Sequence, residues 1–302
     1  MSTSYHVAVI GLGAMGMGAA RSCLRAGLTT YGIDLSEQAR SQLQQAGAAA
    51  VMADARPLAE TLDAVLLLVV NAAQVRRILF GEEGLARHLK PGTAIMVSST
   101  IAAEEASTLA AELAQLGLPM LDAPVSGGAI KADAGEMTVM AAGSDAAFDK
   151  LAPVLDAVSG KLYRVGSEPG QGSTVKIIHQ LLAGVHIAVA AEAMALASRA
   201  GVSLDLMYDV VTHAAGNSWM FENRMPRVLT GDYQARSAVD IFVKDLTLVA
   251  DTAKALRFPL PLASTALNMF LGASNAGHGQ EDDSAVIKIF SGIQLPGQED
   301  QA

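Results

Sequence analysis

Along the first half of the chain, short strand-like apolar runs alternate with stretches of helical spacing; the second half keeps helical spacing alone. Tyr5 to Ile10 predicts a strand running into a helix that continues to Arg25, followed by a strand at Thr29 to Ile33 and a helix at Glu37 to Gln45. A weak strand near Ala50 precedes Ala64 to Val70 (AVLLLVV), the near-continuous apolar run of a mid-sheet strand covered on both faces. Helices at Gln74 to Phe80, Ala103 to Leu116 and Asp145 to Val158 then alternate with strands at Thr93 to Ser98, Met120 to Val125, Met137 to Ala142 and Lys161 to Val165. The alternation predicts an α/β first domain, residues 1–166, with a Rossmann-type doubly wound sheet.

From Gly170 to Gly201 the pattern changes to one long helix, capped by Ser173 or Thr174 and meeting no second breaker before Gly201. At 1.5 Å per residue it spans roughly 40 Å, which suits an interdomain helix over residues 167–201. Its apolar stretch Leu181 to Ala197 approaches the length of a membrane span, but His186 and Glu192 interrupt it, so no membrane partner is expected. Small residues surround it, including Ala183, Gly184, Ala188, Ala190 and Ala191; a helix apolar all round is expected to be buried, and close packing here predicts a homodimer or homotetramer. Helices at Leu204 to Ala214, Trp219 to Leu229, Ala238 to Leu256, Leu262 to Gly272 and Asp283 to Phe290 make residues 202–302 an all-α domain, with a disordered tail expected after Gly292.

Composition narrows the function. Hydrophobic residues are 51% and aromatics only 4%, so the core is built from aliphatic side chains and 13 Met. A net charge of −9 without clustered Lys and Arg argues against nucleic acid. Cys23, the only cysteine, lies in an apolar helical pattern and excludes an internal disulfide, and the start lacks a signal-peptide pattern; both suit the cytoplasm. The six histidines show no HxxxH or HExxH spacing and no GxSxG elbow occurs, so neither a metal site nor a serine nucleophile is expected.

Gly11-Leu12-Gly13-Ala14-Met15-Gly16 follows the first strand and opens the first helix. Gly11 makes the turn, Gly13 admits a pyrophosphate to the backbone N–H groups, and Gly16 lets helix and strand pack closely. Asp34, ending the second strand, stands where a carboxylate grips the ribose 2′-hydroxyl of NAD, and its charge would repel the 2′-phosphate of NADP. Thr100, beyond the strand ending at Ser98, falls where open α/β sheets bind ligands. Ser126-Gly127-Gly128 can form a nest of N–H donors for a carboxylate or be an ordinary glycine loop. Lys176, His179 and Gln180 cluster on one end of the long helix, at i, i+3 and i+4. Asp240 and Lys244 are spaced as a surface ion pair, although the helix around them is apolar.

Four stretches together resemble the signatures of the β-hydroxyacid dehydrogenases, the family that includes 3-hydroxyisobutyrate dehydrogenase: the glycine turn, Asp122-Ala123-Pro124-Val125-Ser126-Gly127-Gly128, the glycine-led helix bearing Lys176, and Lys244-Asp245-Leu246. The resemblance implies Lys176 as acid/base, Ser126, Gly127 and Gly128 on the substrate carboxylate, and Lys244 beside cofactor and substrate. A lysine's ordinary pKa of ~10.4 must be lowered for this task, by desolvation or by a neighbouring charge such as Lys244. The chain departs from the family pattern with Gln180 in place of the usual Asn, and with Val69-Val70-Asn71 in place of Leu-Pro-Asp beside the cofactor. His179, Gln180, Asn217 and Ser218 supply polar groups beyond what an alkyl-substituted acid would use, which predicts a small hydroxy acid carrying further hydroxyls. A non-catalytic dinucleotide sensor is the reading from another class; Lys176 together with a carboxylate nest favours the enzyme.

Overall fold

Strand β1 (His6–Ile10) shows how the first half is assembled: Val7 and Val9 enter the core on one face of the sheet, Ala8 and Ile10 the core on the other. The strand is one of nine among the described residues, 4–296 of a computed structural model. The others are β2 (Thr29–Ile33), β3 (Ala50–Met52), β4 (Ala64–Leu67), β5 (Ala94–Val97), β6 (Met120–Asp122), β7 (Val125–Ser126), β8 (Met137–Ala142) and β9 (Ser159–Gly166). Their order is β3-β2-β1-β4-β5-β6-β8-β7, with β9 also pairing β8. Strands β1 to β6 run parallel, in the doubly wound order; β8 is antiparallel to β6 and β7 and parallel to β9. Helices α1 (Ala14–Arg25), α2 (Glu37–Gln45), α3 (Ala72–Phe80), α4 (Ala103–Gln115), α5 (Gly128–Ala134) and α6 (Asp145–Val158) complete this unit, Met1–Lys176.

Two local expectations change. The apolar run expected as a strand to Val70 leaves the sheet after Leu67, because the Val69 N–H turns to the Ser99 hydroxyl (3.2 Å) and Val70 is exposed. Helix α5 was not foreseen in the glycine loop. Gly127 and Gly128, at φ of 134° and 72°, turn the chain into it, and α1 receives it at Gly18, where a Cβ would stand 2.5 Å from the Asp133 amide.

The second unit, Ile177–Ala302, contains most of α7 (Gln171–Arg199), with α8 (Leu204–Thr212), α9 (Trp219–Thr230), α10 (Val239–Ala255) and α11 (Pro261–Ala273). Its core joins Ile187, Ala191 and Met194 of α7 to Phe242, Phe270 and Val286. Gly184 lets α10 close on α7: a Cβ there would be 2.9 Å from the Leu246 side chain. The last expected helix is a 3-10 segment, Asp283–Ile289, clamped by two nearly buried ion pairs from α9, Arg224–Asp283 and Arg227–Asp282.

The long helix is not buried all round. Ile178, Leu182, Val189 and Leu196 are 53–68% exposed along one stripe, while Ala183, Ile187, Ala191 and Met194 are buried opposite. The tail expected to be disordered is ordered at its start: the Gln294 N–H donates to Ser198 Oγ (3.0 Å) and Leu295 is buried, and the remainder of that expectation lies outside the described residues.

Candidate active site

The glycine turn lies where the strand order reverses around β1, the switch point at which such sheets bind ligands. Gly11 has φ of 91° and would place a Cβ 2.6 Å from the Leu68 carbonyl oxygen; a Cβ on Gly16 would fall 1.7 Å from the Gly11 carbonyl oxygen. Neither position tolerates a side chain. At Gly13, by contrast, a Cβ would meet nothing within 4 Å, and no side chain caps α1 there. The turn therefore leaves open space in front of the helix's first N–H groups, a cradle suited to the dinucleotide's phosphates.

Asp34 is drawn into that turn. Its Oδ2 accepts from the Leu12 N–H and its Oδ1 from the Ser36 N–H, both at 2.7 Å, which holds the carboxylate beside the glycine loop. Arg40, unremarked in the sequence, donates to the carbonyls of Asp34 (2.7 Å) and Leu35 (2.9 Å). An arginine is thus near the ribose position, but bound to the loop's own backbone. The residues fit NAD. In the next loop the Asn71 Oδ1 accepts from the Gln74 N–H (2.9 Å) and Gln74 Oε1 from the Val70 N–H (2.8 Å), a reciprocal cap on α3 that engages the Asn71 oxygen expected at the cofactor. Thr100, half-buried, follows the Ser99 that ties this loop to the end of β5.

Asp122, at the end of β6, governs the position of Lys176. Fully buried, it accepts at Oδ2 from the N–H groups of Gly170 and Ser173 (2.8 Å each) and at Oδ1 from the Ser173 hydroxyl (2.7 Å). Instead of Ser173 or Thr174 capping the helix from within, α7 starts at Gln171 and is capped by a carboxylate from the sheet. Burial pushes the Asp122 carboxyl above its ordinary value, against the pull of those hydrogen bonds. Gly172 leaves room for this junction, since a Cβ would be 2.4 Å from the Asp122 carbonyl oxygen. Lys176 follows one turn later and is only 6% exposed, a desolvated setting for the expected acid/base. The expected carboxylate nest lies in the same unit, with Ser126 at the end of β7 and both glycines in left-handed conformations.

In the second unit the expected polar residues form a chain. The Gln180 Nε2 donates to Asp245 Oδ2 (2.5 Å), its Oε1 lies 2.9 Å from His179 Nδ1, and Lys244 Nζ is 2.7 Å from Asp245 Oδ1. Gln180 therefore does not hold its whole amide in reserve for a substrate. Lys244 pairs with Asp245, and Asp240, at helical spacing from it, accepts from Ser274 and Gln280. Ser218 caps α9 through the Phe221 N–H (3.0 Å), and the Asn217 amide donates to Glu222 (3.3 Å). Sequence reading passed over Asp122 and Asp245 as site residues; the signal available for each was an acid in an otherwise apolar segment. Cys23 is inert: burial pushes its thiol up to about 12.

A glycine turn open in front of its helix, an acid tied to that turn and a buried lysine on the helix that follows the sheet suit a nicotinamide-dinucleotide-dependent dehydrogenase acting on CH–OH, the class to which the chain belongs. Residues 6–166 match the model of the NAD binding domain of 6-phosphogluconate dehydrogenase, and residues 170–290 that described as NAD-binding of NADP-dependent 3-hydroxyisobutyrate dehydrogenase. The chain belongs to the β-hydroxyacid dehydrogenase family. It is 72% identical over 295 residues to the L-threonate dehydrogenase of Escherichia coli O6:H1, covering 98% of each chain. To the L-threonate dehydrogenase of Cupriavidus necator it is 55% identical over 294 residues, covering 97% of this chain and 99% of the other. A crystal structure described as 3-hydroxyisobutyrate dehydrogenase from Salmonella typhimurium superposes with a TM-score of 0.92 at 70% identity, over 95% of this chain and 100% of that one.

Proposed function

We propose that the chain catalyses NAD-dependent oxidation of L-threonate at C2 to the 2-oxo acid, 2-dehydro-L-erythronate, with Lys176 as general acid/base. The observation that carries the substrate is full-length similarity, at 55–72% identity, to proteins named for that activity. NAD, when bound, supplies the acceptor for the C2 hydride. The chain's own residues bind, orient and move the proton. The Ser126 hydroxyl and the N–H groups of Gly127 and Gly128 take the carboxylate, and Lys176 takes the proton of the C2 hydroxyl as the carbonyl forms. Asp122 keeps Lys176 in register by anchoring the start of its helix. Gln180 and His179, further along that helix, face the additional hydroxyls.

Lys176→Ala should lower turnover by about 10²–10⁴-fold while leaving NAD binding intact, because the dinucleotide is held by the glycine turn. Near-normal turnover would remove Lys176 from this role. NADH formation is compared across L-threonate, D-threonate, D-erythronate, D-glycerate (the reduced partner of tartronate semialdehyde) and 3-hydroxyisobutyrate. The second reading, 3-hydroxyisobutyrate, is favoured by the description of the Salmonella structure. The highest kcat/KM for any acid other than L-threonate would overturn the first.

We further infer a cytoplasmic homodimer or homotetramer. The support is the apolar stripe Ile178, Leu182, Val189 and Leu196, exposed on one face of α7 and spaced for a helix partner. Sedimentation as a monomer at micromolar concentration would contradict the assembly.

A further inference from the structure

The Gln180 amide has one acceptor and two donors, and its surroundings dictate which end points where. Its Nε2 sits 2.5 Å from Asp245 Oδ2. Asp245 is 2% exposed and ion-paired with Lys244, so at that position it acts as a carboxylate, which can only accept. Turning the amide over would set its oxygen against another oxygen at that distance, two acceptors without a proton between them. Asp245 thus fixes the amide with Oε1 at the opposite end, 2.9 Å from His179 Nδ1.

An amide oxygen cannot donate. The hydrogen bond between Oε1 and Nδ1 exists only if Nδ1 carries the proton, and in the neutral ring Nε2 is then an acceptor. Three residues contribute one logical chain: the carboxylate orients the amide, the amide selects the tautomer, and the tautomer sets the polarity of the ring's outer edge. A substrate hydroxyl meeting Nε2 must donate to it, whereas the other tautomer would require the hydroxyl to accept. Asparagine, one methylene shorter, would carry its amide closer to the helix backbone, so this relay depends on the Gln found here.

We propose that Asp245 is a positioning residue that, through Gln180, holds His179 in the Nδ1–H tautomer and presents Nε2 as the acceptor for a hydroxyl of the substrate. The proposal rests on the reading of α7 as the substrate-facing helix. It accounts for a hydroxyl-rich acid better than for an alkyl-substituted one, because a half-buried ring nitrogen gains a hydrogen bond from a hydroxyl and none from an alkyl group.

The test is the nitrogen spectrum of the full-length protein labelled with ¹⁵N-histidine, recorded by long-range ¹H–¹⁵N correlation at a pH where the ring is neutral. His179→Gln identifies the signals by their disappearance. The wild type should show a protonated Nδ1 and an unprotonated Nε2 at His179. Gln180→Met removes the acceptor but leaves the Lys244–Asp245 pair, and should return His179 to the Nε2–H form that free histidine prefers. Asp245→Asn, which lets the amide turn over, should give a mixture. An Nε2–H tautomer in the wild type, or an unchanged tautomer in Gln180→Met, would overturn the proposal. In kinetics, Asp245→Asn should lower kcat/KM for L-threonate relative to D-glycerate by about tenfold, the worth of one specific hydrogen bond. Equal losses on both acids would assign Asp245 a merely structural role. Failure of the wild type to oxidise L-threonate would sink the functional reading, while the tautomer measurement would stand independently.

Discussion

Replacing Asp122 tests how the sheet positions the lysine. The carboxylate accepts two backbone N–H groups, of Gly170 and Ser173, and the Ser173 hydroxyl, all inside the protein. Asp122→Ala leaves both N–H groups buried without partners, at about 1–3 kcal/mol each, less the desolvation cost that the carboxylate no longer incurs. A net loss of about 3 kcal/mol is expected, which in a unit of this size lowers Tm by roughly 6–12 °C. Asp122→Asn should be far milder. Its oxygen can replace Oδ2 toward the two N–H groups, and its amide can donate to the Ser173 oxygen. Burial already pushes the Asp122 carboxyl up, so the neutral isostere sheds a penalised charge and forfeits only its attraction to the helix N-terminus, about 1 kcal/mol. Differential scanning calorimetry measures both variants, and steady-state kinetics reads the consequence at Lys176, one turn into α7. A slight displacement of the lysine should lower kcat by about 10–100-fold in Asp122→Ala, with NAD affinity near normal. An Asp122→Ala variant that melts with the wild type would refute the hydrogen-bond accounting. Equal destabilisation by Ala and Asn would show that charge, not hydrogen bonding, anchors the helix.

Asp34→Ala should weaken NAD binding and narrow the preference over NADP, since it removes both the ribose acceptor and the tie to the Leu12 N–H; equal use of both cofactors by the wild type would contradict this role. Arg224→Ala should cost about 3–5 kcal/mol in urea unfolding, because it strands the fully buried Asp283, whereas Arg224→Met combined with Asp283→Leu should cost much less. At Asp282 burial raises the carboxyl, but hydrogen bonds from Arg227 and Ser284 more than offset it and hold it below its ordinary value. Its contribution is therefore present above about pH 4 and lost as pH falls through the lower folded value, so Asp282→Asn should flatten that part of the acid limb in urea midpoints measured from about pH 3 to 6. The neighbouring Asp283 is pushed the other way by burial and should not add to that limb.

Much of the dinucleotide half was legible because its signals are local. Strand and helix periods, the glycine turn and the acid after β2 each depend on residues close in the chain, and β2, α2, β8 and α6 lie at the boundaries their patterns predicted. Local signals misled where a specific side-chain partner overrode them. Val69 and Val70 have strand propensity, yet Ser99 and Gln74 claim their N–H groups. Lys244 has Asp240 at helical spacing, yet it pairs with the adjacent Asp245, which Gln180 also meets from α7.

By itself, the order of amino acids determined the alternation that builds a parallel sheet, the turn that only glycines can make, and the place of one lysine in the first turns of a long helix. Those follow from backbone sterics and apolar periodicity, which act within a few residues. Which buried acid would hold that helix, and which would orient its glutamine, was decided only by tertiary structure. Asp122 lies 51 residues from Ser173 and Asp245 lies 65 from Gln180. A buried carboxylate must find donors wherever the fold brings them, and no spacing along the chain records where that is.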